Sequence, residues 1–111
     1  FELLQQRLSL ISCEAPVGDL PAVRDLSDVR DLAQCEAAVA TLHSALGGVD
    51  ALVNNAGLVV RQDLMTIDPA DWRAMMATNI DGVFHMCRTV VPIMTTQGAG
   101  LLVNISSISG R

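Results

Sequence analysis

The chain has 111 residues, half of them hydrophobic, with a net charge of −5 and a pI near 4.6. This length allows one small domain with a real core, and the acidic balance without a basic cluster argues against a nucleic-acid surface. No apolar run approaches the roughly 20 residues of a membrane span, so we expect no membrane partner. Three scattered cysteines fit reduced thiols better than disulfides or a metal site. We therefore expect a cytoplasmic protein with no metal.

The first half of the sequence predicts a helix, a short strand and a second helix. Apolar residues of Phe1–Ile11 fall on one helical face. After a loop with two prolines, a short strand is predicted over Ala22–Val29. Apolar residues then recur at helical spacing over Leu32–Leu46, and Gly47 and Gly48 end this helix.

The second half predicts two buried strands joined by a long helix. Asp50–Asn54 is a short apolar run bounded by turn-forming residues, which is typical of a strand covered on both faces. After a loop, Asp68 suits a helix cap and Pro69 the first helical position. The helix continues to Met94, and Leu101–Ser106 forms the last strand.

Two features of this long helix predict more than its length: an asparagine and a glycine in its interior, and an apolar surface that extends most of the way round. Asn79, a mediocre helix former, is followed closely by Gly82, and together they predict a bent or loosened turn. After Ile80 the helix is apolar most of the way round, which predicts packing between other elements. The apolar stretch Val83–Met94 fits a contact between subunits and burial inside one subunit equally well.

The alternation of helices and strands predicts an α/β fold, a doubly wound parallel sheet with helices on both faces. In such sheets ligands bind beyond the carboxyl ends of the strands. Ala56 and Gly57 leave room there for a flat ligand to approach the backbone. Polar residues follow all three predicted strands at that edge, namely Asp28, Asn54-Asn55 and Ser107.

Other candidate chemistry is weaker. Ser107 lies outside any Gly-x-Ser-x-Gly motif, so a covalent nucleophile is not indicated. His43 and His85 lie on predicted helices away from the strand ends, and we interpret both as surface or packed residues. A phosphate-accepting receiver domain would need clustered carboxylates at the strand ends, where Asp28 stands alone.

Four stretches in combination resemble the short-chain dehydrogenase/reductase family, in the family's order and spacing. They are Asp28-Val29, Asn54-Asn55-Ala56-Gly57, Asn79 in a helix with Trp72 and Phe84, and Asn104-Ile105-Ser106-Ser107. The resemblance covers nearly the whole chain. It implies a Rossmann-like fold, NAD or NADP as cofactor, and interconversion of a secondary alcohol with a ketone or aldehyde. It also implies a small-molecule substrate and a homo-oligomer, either a dimer or a tetramer.

The resemblance further implies where the cofactor would lie. Asp28 and Val29 would contact the adenine. Asp25 is a competing choice, because Val-Arg-Asp-Leu occurs at 23–26 and again at 29–32, and the distance to Asn54 along the chain favours Asp28. The stretch Asn54–Gly57 would flank the ribose, with Asn55 as the usual contact residue.

Two residues would carry the chemistry. Ser107 looks like the family's catalytic serine, which hydrogen-bonds the substrate carbonyl or hydroxyl. Asn79 looks like the family's catalytic asparagine, whose backbone holds a water in a proton relay. A donor at the carbonyl oxygen suits hydride transfer, which builds negative charge there.

Two motifs of the family fall outside these residues, the glycine-rich pyrophosphate turn and the Tyr-x-x-x-Lys pair that supplies the general acid. We interpret residues 1–111 as the central part of a single dinucleotide-binding and catalytic domain, and expect them alone to lack dehydrogenase turnover. The alternative is a non-catalytic dinucleotide-binding sensor or scaffold on the same fold. A tyrosine–lysine pair after Arg111 would favour the enzyme.

Overall fold

The computed structural model describes residues 9–12 and 28–108. Helices and strands alternate through the second range, as the sequence predicts. None of the helices in these residues is long and apolar enough to cross a membrane. The elements in chain order are β1 (Ser9–Ser12), α1 (Leu32–Leu46), β2 (Ala51–Asn54), α2 (Pro69–Met76), a π-helical segment (Ala77–Asp81), α3 (Gly82–Gln97) and β3 (Leu101–Asn104).

The three strands form one sheet in the order β1-β2-β3. The predicted parallel pairing of β2 with β3 is confirmed, with Asn54 opposite Asn104. Strand β1 pairs antiparallel with β2, so the helix predicted over Phe1–Ile11 is wrong at residues 9–11. Residues 1–8 lie outside the described residues. A short apolar segment satisfies both a helical and a strand pattern, and here backbone pairing with β2 decides.

Helix α1 begins and ends where its side chains predict. The Asp31 carboxylate accepts a hydrogen bond from the Gln34 backbone N–H, and Gly47 ends the helix with φ 77°. The chain just before the helix, at Asp28 and Val29, forms a turn and not the end of the predicted strand. Residues 22–27 of that predicted strand lie outside the described residues.

The long helix consists of α2, the π-helical segment and α3. Asp68 caps it by accepting from the Ala70 N–H at 2.7 Å, and Pro69 is its first residue. The loosened turn predicted at Asn79 is confirmed: Asn79 lies within the π-helical segment, where the Gly82 N–H donates to the Ala77 carbonyl five residues earlier. The helix ends at Gly98 with φ 81°.

The core lies where α1 and α3 pack together against β2. Its most buried members come from all three elements and from the segment between α1 and β2, and they include Val39, Val49, Leu52 and Val90. By contrast, Ile80, Phe84 and Val91 are exposed. The prediction that the helix after Ile80 packs between other elements is therefore wrong at Phe84 and Val91 among the described residues. Strand β3 is also largely exposed, because it lies at the edge of the described sheet.

The Gln97 side chain joins the end of α3 to the start of β2. Its Oε1 accepts from the Val49 N–H at 2.8 Å and its Nε2 donates to the Val49 carbonyl at 2.9 Å. Gln97→Ala leaves both backbone groups of a buried residue unpaired, so we expect the free energy of unfolding to fall by about 1–3 kcal/mol. Urea denaturation measures this change. Thr96→Ala, at an exposed neighbour, is the matched control, and an equal loss in both variants would contradict the prediction.

Candidate active site

Hydrogen bonds join the carboxyl ends of β2 and β3. The Ile105 N–H donates to the Asn54 carbonyl at 2.9 Å. The Asn54 side chain, 5% exposed, donates through Nδ2 to Asn104 Oδ1 at 2.9 Å and to Cys87 Sγ at 3.5 Å. Asn54 thus positions the two strand ends relative to each other. The next residue, Asn55, is exposed.

Asn79 holds the loop that follows β2. Its Oδ1 accepts from the Leu58 N–H and its Nδ2 donates to the Leu58 carbonyl, both at 2.8 Å. Gly57 lies alongside, since a Cβ atom there would be 3.7 Å from Asn79 Oδ1. The Asn79 side-chain amide thus pairs with both backbone groups of Leu58, as the backbone of a neighbouring β-strand would. The π-helical segment and the loop at Asn55–Leu58 are therefore held together by one side chain.

The residue before Asn79 is a buried hydroxyl. Thr78 is 1% exposed, and within the part of the chain that the structure describes its Oγ1 has no hydrogen-bond partner. The Ala74 carbonyl, four residues before Thr78, already accepts a hydrogen bond from the Ala77 backbone N–H. An unpaired buried hydroxyl costs on the order of 1–3 kcal/mol. Both π-helical turns and unpaired buried polar groups are frequent at functional sites in proteins.

Asp28 forms an ion pair with Arg30. The Arg30 Nε lies 2.8 Å from Asp28 Oδ1 and 2.9 Å from Oδ2. These hydrogen bonds from Arg30 lower the pKa of the Asp28 carboxyl group, against a smaller opposing effect of burial. About one third of the Asp28 side chain remains exposed. Asp28 is thus an ionised, partly accessible hydrogen-bond acceptor four residues before the first residue of α1.

The adjoining residue, Val29, contacts α3. Its side chain is buried against Gly82, where a Cβ atom would lie 2.7 Å from Val29 Cγ2. Its carbonyl oxygen lies 2.8 Å from His85 Nδ1. This contact of His85 is not predicted from the sequence, where His85 is interpreted as a surface or packed residue. A signal was available, because His85 follows Gly82 by three residues, and residues at that spacing share a helix face.

Ser107 is exposed and follows the end of β3 by three residues, and β3 ends with Asn104 opposite Asn54 of β2. The structure places the predicted residues in three local groups. Asn79 lies against Gly57 and Leu58, Ser107 follows the strand joined to Asn54, and the Asp28–Val29 turn lies against α3. His43 is exposed on α1.

Cysteine and metal chemistry are not indicated by the described residues. Cys35 and Cys87 are free thiols, and Cys13 lies outside these residues. Burial raises the pKa of Cys35 to about 11, so this thiol stays protonated at neutral pH. Its Sγ lies 3.6 Å from the Val29 carbonyl oxygen. Within residues 9–12 and 28–108 no group of three metal-ligating side chains converges.

Residues 21–111 match the family model described as short chain dehydrogenase. The chain belongs to the short-chain dehydrogenase family. It is 42% identical over 83 residues to nodulation protein G of Azospirillum brasilense, an alignment that covers 75% of this chain and 34% of the relative. It is 38% identical over 112 residues to galactitol 2-dehydrogenase (L-tagatose-forming) of Cereibacter sphaeroides, covering 94% of this chain and 44% of that enzyme.

Solved structures of the family share the fold. A gluconate 5-dehydrogenase from Burkholderia cenocepacia, crystallised with NADP and tartrate, is 39% identical, with a TM-score of 0.73 over 77% of this chain and 33% of that one. A short-chain dehydrogenase/reductase from Burkholderia xenovorans is 41% identical, with a TM-score of 0.74 over 78% of this chain and 34% of that one. The predicted Rossmann-like fold is confirmed. The chain spans less than half the length of these relatives.

Proposed function

We propose that the protein carrying this segment is an NAD(P)-dependent oxidoreductase that interconverts a secondary alcohol and a ketone or aldehyde by hydride transfer. The observation that carries the proposal is the pair of 2.8 Å hydrogen bonds between Asn79 and the Leu58 backbone. They hold the proposed catalytic helix against the loop proposed to flank the cofactor. Membership of a dehydrogenase family supports the same reaction class.

The cofactor proposed is NAD or NADP, and the residues present fit it. The partly exposed carboxylate of Asp28 is an acceptor suited to an adenine amino group, with Val29 beside it. Asn55 is exposed and followed by the small residues Ala56 and Gly57. The nicotinamide, when bound, supplies or accepts the hydride. A cofactor contact by Asn54 stays a prediction, and its side chain's hydrogen bonds favour a positioning role.

The residues of this chain would act on the substrate and its proton. Ser107, exposed beyond β3, would donate its hydroxyl hydrogen to the carbonyl oxygen as negative charge builds there. Asn79 would hold a water through its backbone, in the segment where π-helical geometry loosens the helix. A general acid is also required. The tyrosine–lysine pair that the family resemblance implies would supply it from outside residues 1–111.

Assembly and location are part of the proposal. The exposed apolar residues Ile80, Phe84 and Val91 on the long helix support a homo-oligomer, a dimer or a tetramer. Free thiols at Cys35 and Cys87 support a cytoplasmic protein. The substrate would be a small carbonyl compound or alcohol.

The test uses the intact protein that contains this sequence. Binding of NADH and NADPH is measured by fluorescence, and cofactor oxidation is followed with a set of small ketones and aldehydes. Carbonyl-dependent oxidation is the expected result, with no turnover by residues 1–111 alone. Cofactor binding without turnover on any carbonyl would support the sensor instead. Failure to bind either cofactor would contradict both.

A further inference from the structure

We propose that His85 is a positioning residue for the adenine end of the cofactor site, acting through the Val29 carbonyl. This inference rests on the proposed function, since it takes Asp28 and Val29 as the adenine contacts. On this proposal, α3 both continues the helix that contains Asn79 and holds the Val29 carbonyl through His85. Its evidence is the 2.8 Å contact between His85 Nδ1 and the Val29 oxygen.

The partner of His85 fixes the state of the imidazole ring. A carbonyl oxygen only accepts hydrogen bonds, so Nδ1 must carry the hydrogen. In the neutral ring Nε2 is then unprotonated. The contact joins residues that are 56 positions apart in sequence, and both lie in a partly buried region. Local chain geometry therefore does not impose it.

The turn at Asp28 and Val29 is held from two sides. From α1, Gln34 Oε1 accepts from the Asp28 N–H at 3.1 Å, and the Asp31 N–H donates to the Asp28 carbonyl at 2.9 Å. From α3, His85 donates to the Val29 carbonyl, and Gly82 provides the surface on which the Val29 side chain packs. Without the imidazole, α1 still holds the backbone of Asp28, and Cys35 Sγ still lies 3.6 Å from the Val29 carbonyl oxygen. The shorter contact, from His85 on α3 to that oxygen, is lost.

One helix would then orient both ends of the proposed cofactor site. Asn79 in the π-helical segment fixes Leu58 beside the ribose loop, and His85, six residues later, fixes Val29 at the adenine end. Because both contacts come from one continuous helix, the distance between the two nucleotide-binding loops depends on that helix. A hydrogen bond lost at His85 should weaken cofactor binding and leave the chemical step unchanged.

The experiment compares three variants in the intact protein. His85→Leu removes the donor, and we expect KM for the cofactor to rise about three- to tenfold, the usual net effect of one hydrogen bond, with kcat within twofold. His85→Asn restores a donor near the Nδ1 position and should recover most of the affinity. His43→Leu, at an exposed histidine of α1, is the matched control and should change neither constant.

A measurement on the unmutated protein tests the contact without any substitution. Nitrogen-15 NMR of the neutral His85 ring should show the hydrogen on Nδ1, and a hydrogen on Nε2 would overturn the proposal. Equal cofactor KM in His85→Leu and wild type would also overturn it, as would equal losses in the leucine and asparagine variants. If wild type binds neither NAD⁺ nor NADP⁺, the proposed function fails, and the NMR result still decides whether His85 positions Val29.

Discussion

Replacing Ser107 with alanine is expected to lower kcat for carbonyl reduction by about 100- to 1,000-fold in the intact protein, the typical loss when a hydrogen-bond donor to a developing oxyanion is removed. Cofactor affinity should stay within twofold, because the proposed cofactor contacts lie at other residues. Steady-state kinetics with a responsive ketone and separate cofactor titrations measure the two quantities.

The neighbouring Ser106 provides the matched control. Ser106 is exposed, so Ser106→Ala should change the free energy of unfolding by no more than about 0.5 kcal/mol. Ser106→Ala is expected to retain kcat within twofold. A Ser107→Ala protein with nearly wild-type kcat would contradict the role of Ser107, and a large loss at Ser106 instead would reassign it.

The parts of the fold that the sequence predicts are those set by local chemistry. Asp68 and Pro69 begin a helix because a carboxylate caps free N–H groups and proline suits the first turn. Gly47 ends α1 because a left-handed residue is required there. Asn79 followed by Gly82 predicts the loosened turn that is observed as π-helix. Each of these signals lies within a few residues of its effect.

The parts that the sequence does not predict depend on partners far along the chain. Strand β1 is defined by pairing with β2, 39 to 45 residues away along the chain. The burial of Asn54 makes sense only once Asn104 is beside it. His85 looks like an ordinary helix residue until the Val29 carbonyl is known to face it. A single helical pattern likewise does not reveal that Phe84 is exposed among the described residues.

Replacing Asn79 with alanine is expected to lower both stability and activity. The substitution leaves the Leu58 N–H and carbonyl without their 2.8 Å partners in a partly buried region, so the free energy of unfolding should fall by about 2–3 kcal/mol. Because the loop at Asn55–Leu58 is then released from the π-helical segment, kcat/KM should fall by at least about tenfold. Asn55→Ala, at an exposed amide of the same loop, should leave stability unchanged.

Asn79→Asp separates the two hydrogen bonds by pH. An ionised carboxylate still accepts from the Leu58 N–H but faces the Leu58 carbonyl oxygen without a hydrogen to donate, which raises the pKa of the new carboxyl group above its unfolded value of about 4. The protonated carboxyl restores both bonds. The variant's stability deficit relative to wild type should therefore be smallest below that unfolded pKa and should grow as pH rises through the higher folded pKa. Urea denaturation of both proteins between about pH 4 and pH 8 measures the trend. A deficit independent of pH would mean that the Asn79 donor does not hold Leu58, and with it the loop proposed to contact the cofactor.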